Sequence, residues 1–108
     1  MHQRGQDATP AIQICNEQVA EFCAKHRIRR LSLYGSVMRP DFRPESDVDV
    51  LVEFEPGAAV GFFGMARLER EFSSLLGGRR IDLRTPQDLS RYFRDSVVDH
   101  AYVIHGPS

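Results

Sequence analysis

The sequence predicts a small α/β (α+β) domain in which helices pack against a mixed β-sheet. Strand-like segments alternate apolar and polar residues, helix-like segments repeat apolar residues every three or four positions, and glycine or proline separates the segments. The 108 residues suffice for one domain, and 42% hydrophobic and 27% charged residues are ordinary proportions for such a domain. We expect residues 1–9 to form a flexible N-terminal lead and residues 10–106 to fold as one unit.

The first predicted element is a helix from Thr9-Pro10 to about Lys25-His26. Threonine is a favoured N-cap, and proline is favoured at the first helical position. The apolar residues that follow form one helical stripe: Ile12, Cys15, Val19, Phe22 and Cys23. The two cysteines would lie about 12 Å apart along such a helix, too far for a disulfide. We therefore expect free thiols and a reducing compartment.

Two strands are predicted next, over residues 30–34 and 47–54. Gly35-Ser36 ends the first strand, and a polar stretch with prolines, residues 38–46, leads to the second. In the second strand the valines at 48, 50 and 52 share one face, so that Asp47 and Asp49 both point to the other.

The second half of the chain predicts a helix, a strand, a helix and a short last strand. Five apolar residues at helical spacing define the helix over residues 62–76, which Gly77-Gly78 ends: Met65, Leu68, Phe72, Leu75 and Leu76. Residues 80–84 form the third strand, with Asp82 on its polar face. Thr85-Pro86 and Asp88 predict a capped helix start. We expect that helix to run to about His100 and a last strand over residues 101–105.

Gly35-Ser36 is a candidate phosphate-binding turn. It lies at the end of a strand and directly before a candidate short helix, where exposed backbone N–H groups can hold phosphate oxygens and glycine permits close approach. The Ser36 hydroxyl adds a hydrogen-bond donor. Arg39, one helical turn further on, adds a guanidinium that can bind phosphate.

Asp47, Asp49 and Asp82 are the candidate metal ligands and catalytic residues. Two carboxylates held on one side of a strand repel each other, and a hard divalent cation such as Mg²⁺ relieves the repulsion. If the third strand lies near the second, Asp82 joins them. The set then predicts a two-metal site in which Asp82 also accepts a proton from an attacking hydroxyl.

The order and spacing of these residues resemble the signature of the DNA polymerase beta-like nucleotidyltransferase superfamily. That signature is Gly-Ser, ten residues, Asp-any-Asp and a third acid on a later strand. Gly35-Ser36, residues 37–46, Asp47-Val48-Asp49 and Asp82 match it in this chain. Arg39, Ser46 and the segments 51–54 and 81–83 also match the small minimal nucleotidyltransferase (MNT) branch. The resemblance covers residues 10–106.

The resemblance implies a nucleotidyltransferase palm-like fold, a Mg-ATP site and a role for the chain. Asp47, Asp49 and Asp82 correspond to the metal ligands and catalytic acids of the family, and Gly35-Ser36 to its phosphate loop. Members of the MNT branch are often antitoxins paired with a helical HEPN toxin that cuts RNA. The implied function is transfer of AMP from ATP to a tyrosine hydroxyl of such a toxin, as a type VII-like antitoxin.

Pro40 departs from the branch, which often has glycine after the arginine. Because proline fixes φ and lacks an N–H, we expect a stiffer loop that lacks any phosphate contact from that amide.

Three alternatives remain open on the sequence. The chain could neutralise a partner by binding alone, or transfer a nucleotide to a small molecule or to RNA. The net charge of −1 and the pI near 6.4 argue against strong direct binding of nucleic acid. No apolar run approaches the length of a membrane span, and the first nine residues lack a signal peptide's apolar stretch, so we expect a cytoplasmic protein. Because a core of this size is marginal, association with a partner or a second copy is also expected.

Overall fold

The computed structural model describes residues 10–58 and 60–107, so the predicted N-terminal lead lies outside the described part. The helices are α1 (Asn16–Lys25), α2 (Phe62–Leu75) and α3 (Arg94–His100), and the strands are β1 (Ile28–Tyr34), β2 (Val48–Phe54), β3 (Ile81–Arg84) and β4 (Tyr102–His105). Two 3-10 turns cover Gly35–Met38 and Pro86–Asp88.

The four strands form one mixed sheet in the order β3-β2-β1-β4. β1 runs antiparallel to both of its neighbours, whereas β2 and β3 are parallel. Parallel neighbours need a crossover connection, which α2 supplies because it lies between β2 and β3 in the chain. The mixed sheet with helices packed against it, predicted from the sequence, is confirmed.

One face of the sheet carries the hydrophobic core. α1 and α2 pack on this face, where the rings of Phe22 and Phe72 lie 5.2 Å apart. The buried side chains of this core alternate along the strands, as the period of two requires: Val19, Phe22, Cys23, Leu31, Leu33, Val48, Val50, Val52, Leu68, Phe72 and Leu83. The alternate residues of β1, β2 and β3 point to the opposite face, where the candidate site lies.

α1 begins six residues later than the sequence suggested. The predicted N-cap, Thr9, lies outside the described residues, and residues 10–15 are not helical. The backbone N–H of Ala11 donates instead to the carbonyl of Val37 at 2.9 Å, which ties this segment to the first 3-10 turn. Ile12 and Ile14 pack against the core with the spacing of extended chain. Both cysteines are free thiols, as expected: Cys23 is buried and Cys15 is exposed.

The single helix predicted after Thr85 is interrupted. Its start is correct, because the backbone N–H and the hydroxyl of Thr85 donate to the Asp88 carboxylate at 3.0 and 3.2 Å. The helical hydrogen bonds then stop, and the Arg94 guanidinium donates to the carbonyls of Pro86, Gln87 and Leu89. The Pro86 carbonyl also accepts the Leu89 N–H of the 3-10 turn at 3.1 Å, whereas the carbonyls of Gln87 and Leu89 are bound by the Arg94 side chain, and α3 begins only at Arg94.

Within residues 10–58 and 60–107, no helix is long and apolar enough to cross a membrane.

Candidate active site

Asp49 and Asp82 face each other across two parallel strands, on the side of the sheet away from the core. They are direct partners in the β2–β3 register. Tyr34 is the direct partner of Asp49 in the β1–β2 register. Since directly paired residues point to the same face of a sheet, the three side chains form a row across β1, β2 and β3. The second and third predicted carboxylates are thus brought together by strand pairing.

The Gly35-Ser36 turn lies against Asp49. Gly35 has φ +77°, a left-handed conformation that favours glycine, and a Cβ at this position would collide with Asp49 Oδ2. The backbone N–H of Ser36 interacts favourably with the Asp49 carboxylate, while the Ser36 hydroxyl donates to the carbonyl of Asp47 at 3.4 Å. The backbone of the Gly35-Ser36 turn and the Asp49 carboxylate therefore lie close together. A phosphate bound at the turn would lie near this carboxylate.

The Asp49 carboxyl lies in an environment that disfavours its charge. Partial burial raises the pKa of Asp49, the negative charges of Asp82 and Asp47 raise it further, and the Arg84 guanidinium and the Ser36 N–H lower it only in part. Burial likewise raises the pKa of the Tyr34 hydroxyl, with Asp49 as the next cause. A bound cation would relieve this repulsion between carboxylates.

Two arginines of the third-strand segment neutralise the other two aspartates. Arg80 Nε lies 2.9 Å from Asp47 Oδ1, and an Arg84 terminal nitrogen lies 3.2 Å from Asp82 Oδ2. All four side chains are at least one-third exposed. Exposed ion pairs of this kind contribute only about 0.2–1 kcal/mol each, so that either carboxylate can leave its arginine at small cost.

The carboxylates suit a hard divalent cation by their chemistry, since all the candidate donors are oxygens. Among the described residues, no three His, Cys, Asp or Glu side chains are grouped closely enough to hold a metal ion as they stand. The ion pairs hold the carboxylates of Asp47 and Asp82 beside Arg80 and Arg84.

Arg39 is not brought to the aspartates. It follows the first 3-10 turn, its backbone N–H donates to the Ser36 carbonyl at 2.9 Å, and its exposed guanidinium lies 3.6 Å from Asp41. The cations that do contact the acids are Arg80 and Arg84. From the sequence, Arg80 belongs to a basic pair, Arg79-Arg80, with nucleotide or partner contact as the alternative to a solvated strand edge, and Arg84 was not a candidate. The signal for them was their position two residues before and after Asp82, which puts all three on one face of the strand.

Comparison with known proteins agrees with this geometry. A family model described as "Nucleotidyltransferase domain" matches residues 15–104. Two relatives from Methanocaldococcus jannaschii are each described as a "Putative protein adenylyltransferase". One is 31% identical, over 83% of this chain and 94% of the relative. The other is 28% identical, over 69% of this chain and 75% of the relative.

Solved structures show the same fold. A structure described as a "putative minimal nucleotidyltransferase" is 36% identical, with a TM-score of 0.64 over 80% of this chain and 85% of that one. A toxin–antitoxin crystal structure with AMP-PNP shares the fold at 16% identity, with a TM-score of 0.69 over 88% of this chain and 76% of that one. Residues 15–104, which the family model matches, include the Gly35-Ser36 turn, the three aspartates and the whole sheet except the end of β4. The chain therefore belongs to the nucleotidyltransferase domain family, and it is a nucleotidyltransferase of the minimal type.

Proposed function

We propose that this nucleotidyltransferase moves AMP from Mg-ATP to a hydroxyl group of a partner protein. The observation that carries the proposal is the in-register pair of Asp49 and Asp82 beside the Gly35-Ser36 turn. This arrangement supports the proposal, because carboxylate oxygens suit a divalent cation and the N–H groups of a glycine-containing turn suit phosphate oxygens. The descriptions of the two M. jannaschii relatives as protein adenylyltransferases support a protein acceptor.

The proposed reaction is an in-line displacement at the α-phosphorus of ATP. The acceptor oxygen forms a bond to the α-phosphorus, the bond from that phosphorus to the bridging oxygen breaks, and pyrophosphate leaves with the electron pair. Asp82 takes the proton of the acceptor hydroxyl, and Gly35 and Ser36 orient the phosphates through backbone N–H groups. Mg²⁺ held by Asp47, Asp49 and Asp82 would supply neutralisation of the negative charge that develops on the phosphate oxygens. Arg39 can add a phosphate contact once it leaves Asp41.

The acceptor we propose is a tyrosine of a cognate helical HEPN toxin, which makes the chain a type VII-like antitoxin. The resemblance to the MNT branch favours this acceptor, and several structures with the same fold are toxin–antitoxin complexes. The proposal places the protein in the cytoplasm, where both ATP and an RNA-cutting toxin would be found.

Intact mass spectrometry tests the proposal. The purified protein is incubated with Mg-ATP and its candidate partner, and both chains are weighed. We expect an adenylyl-sized gain on the partner that is absent with Asp49→Asn. Absence of any gain in the presence of a stable complex would reject the transferase function for this partner.

Neutralisation by binding alone is the second candidate, and an exposed aromatic pair favours it. Tyr92 and Phe93 are 87% and 54% exposed, in a segment that the hydrogen bonds of Arg94 to three carbonyls hold in place. Aromatic side chains on a fixed segment suit a protein interface. If an Asp47→Asn, Asp49→Asn double variant still protects cells fully from the toxin, binding suffices. Loss of protection with an intact complex supports transfer.

A further inference from the structure

The polar face of β3 alternates in charge. Arg80 immediately precedes the strand and Asp82 and Arg84 lie within it, so the three side chains share one face at intervals of two residues. Successive members are about 6.6 Å apart along the strand. Two cations therefore stand on either side of the acid that pairs with Asp49 across the sheet.

Each cation is paired with a different proposed metal ligand. Arg80 lies against Asp47 at 2.9 Å and Arg84 against Asp82 at 3.2 Å. Asp49 is the direct neighbour of Asp82 across the two strands and lies against the Gly35-Ser36 turn. Three carboxylates and two guanidinium groups thus share one patch, which is close to neutral without a metal. The arginine side chains are 77% and 47% exposed, so both ion pairs can open into solvent.

We propose that Arg80 and Arg84, named here the β3 arginines, are exchangeable counterions. In the metal-free protein they neutralise Asp47 and Asp82. When a divalent cation takes the carboxylates, they turn to the polyphosphate of the nucleotide. The inference rests on the proposed function and deepens it, because it assigns the polyphosphate ligands of that site to the β3 arginines.

Charge balance gives the physical reason for the exchange. A divalent cation on the carboxylates leaves the β3 arginines without their partners, and a nucleotide polyphosphate brings new negative charge to the same patch. Guanidinium groups bind phosphate oxygens through two parallel hydrogen bonds, as they bind carboxylates, so that a phosphate can replace the lost carboxylate partner. The β3 arginines therefore compete with the metal ion for the carboxylates. Once the metal ion is bound, they help to bind the nucleotide.

This double role predicts effects of opposite sign from one substitution. Without nucleotide, Arg84→Gln removes a competing positive charge, so Mn²⁺ should bind roughly threefold to tenfold more tightly than to the unaltered protein. With Mg²⁺ present, the same variant lacks a phosphate ligand, so a non-hydrolysable ATP analogue should bind at least about tenfold more weakly. Arg80→Gln should show the same two signs, and Arg84→Lys should recover part of the affinity for the analogue.

The experiment measures two affinities on the full chain. Free Mn²⁺ is titrated by electron paramagnetic resonance, and binding of the Mg-loaded analogue is followed by calorimetry. Arg67→Gln is the matched control, because Arg67 is exposed on α2; both of its affinities should equal those of the unaltered protein. Thermal unfolding of each variant verifies that it is folded, and Arg80 and Arg84 are tested separately so that misfolding of one variant leaves the other as the test.

Opposite changes in the two affinities support the inference. Unchanged affinities in the folded Gln variants overturn it while leaving the proposed function intact. A parallel fall in both affinities also overturns it, because it indicates that the arginines only maintain the shape of the site. Failure of the unaltered protein to bind Mn²⁺ at all overturns both the inference and the metal-dependent function on which it rests.

Discussion

Gly35 allows the backbone after β1 to pass directly beside the carboxylate of Asp49. Two independent features require glycine there: the positive φ of +77° and the absence of room for a Cβ next to Asp49 Oδ2. Gly77 has the same φ of +77°, but a Cβ on it would meet open space. The comparison of these two glycines separates backbone strain from contact with the acid.

Gly35→Ala should therefore impair the site more than its strain alone explains. We expect both Gly35→Ala and Gly77→Ala to cost about 1–2 kcal/mol of unfolding free energy through backbone strain. Only Gly35→Ala should also displace Asp49, which should lower Mn²⁺ affinity by about tenfold or more through the altered donor geometry. Urea unfolding and Mn²⁺ titration of both variants measure the two effects. Equal Mn²⁺ affinities in the two variants would show that the contact with Asp49 is unimportant.

Asp49 should reduce the stability of the metal-free fold, because its charge is held beside like charges. Burial first, and then Asp82 and Asp47, raise its pKa above the ordinary 3.8. A carboxyl whose pKa is raised by folding destabilises the fold when ionised, and this cost disappears as the pH falls below the ordinary value. Asp49→Asn should thus raise the melting temperature at pH 7 by a few degrees, a gain that shrinks toward pH 4.

Differential scanning calorimetry with and without Mn²⁺ measures this effect. Mn²⁺ should stabilise the unaltered protein, because a ligand that binds the folded state raises its stability, and it should leave Asp49→Asn nearly unchanged. Asp41→Asn is the control, since Asp41 is exposed and pairs only loosely with Arg39 at 3.6 Å. A lower melting temperature for Asp49→Asn at pH 7 would contradict the account.

At the scale of elements, Glu71 links the two helices that cover the core. Its carboxylate on α2 accepts from Lys25 at 3.2 Å and contacts His26 Nε2 at 3.0 Å, both at the end of α1. Burial alone would raise the pKa of Glu71, but the hydrogen bonds and charges of Lys25 and His26 outweigh it, so that the pKa is lowered. A lowered carboxyl pKa stabilises the fold above the ordinary value, and this contribution is lost as the pH falls through the folded-state pKa.

Glu71→Gln should lower the unfolding free energy by about 0.5–1 kcal/mol at pH 7, the range for ion pairs near the surface. The difference from the unaltered protein should vanish in acid, because the carboxyl is then protonated. Urea unfolding at pH 7 and at pH 3 measures both values, with Glu21→Gln as the control because Glu21 is exposed on the same helix as Lys25. A difference that persists unchanged at pH 3 would exclude the ion pair as its cause.

β4 is the edge strand beside β1, and it is followed by Gly106, a position with no room for a side chain. Gly106 has φ +98°, and a Cβ on it would collide with the backbone carbonyl oxygen of Arg29. Gly106→Ala should therefore cost about 1–3 kcal/mol and increase hydrogen exchange in β4. Gly78→Ala, at φ +90° with open space around it, should cost less. A smaller loss for Gly106→Ala than for Gly78→Ala would contradict the close approach.

The elements were predictable where a strong period coincided with a clear stop. The strands and α2 were predicted to within about two residues, because alternation or helical stripes end there at glycine or proline. The predicted start of α1 was wrong, because Ile12 and Ile14 fit an extended segment as well as a helix. The hydrogen bond from the Ala11 N–H to the Val37 carbonyl favours the extended segment. The break before α3 depends on the three carbonyls that Arg94 binds, a contact that no local pattern reveals.

At the scale of the whole molecule, the hydrophobic core and the candidate active site lie on opposite faces of the sheet. One face packs on α1 and α2, and the other presents the row of Tyr34, Asp49 and Asp82. The aspartates could be chosen from sequence because alternation fixes which face they occupy. The pairing of Asp47 with Arg80 could not, since it depends on the register between β2 and β3, whereas Asp82 and Arg84 are only two residues apart on one strand.

AMP transfer to a partner protein is tested by following the phosphates of ATP. The protein and its candidate partner are incubated with Mg²⁺ and ATP labelled either at the α-phosphate or at the γ-phosphate, and the label on each chain is measured. We expect the α-label alone to appear on the partner, pyrophosphate to be released, and Asp82→Asn to abolish the labelling. Transfer of the γ-label, or α-labelling that persists with Asp82→Asn, would contradict the proposed AMP transfer.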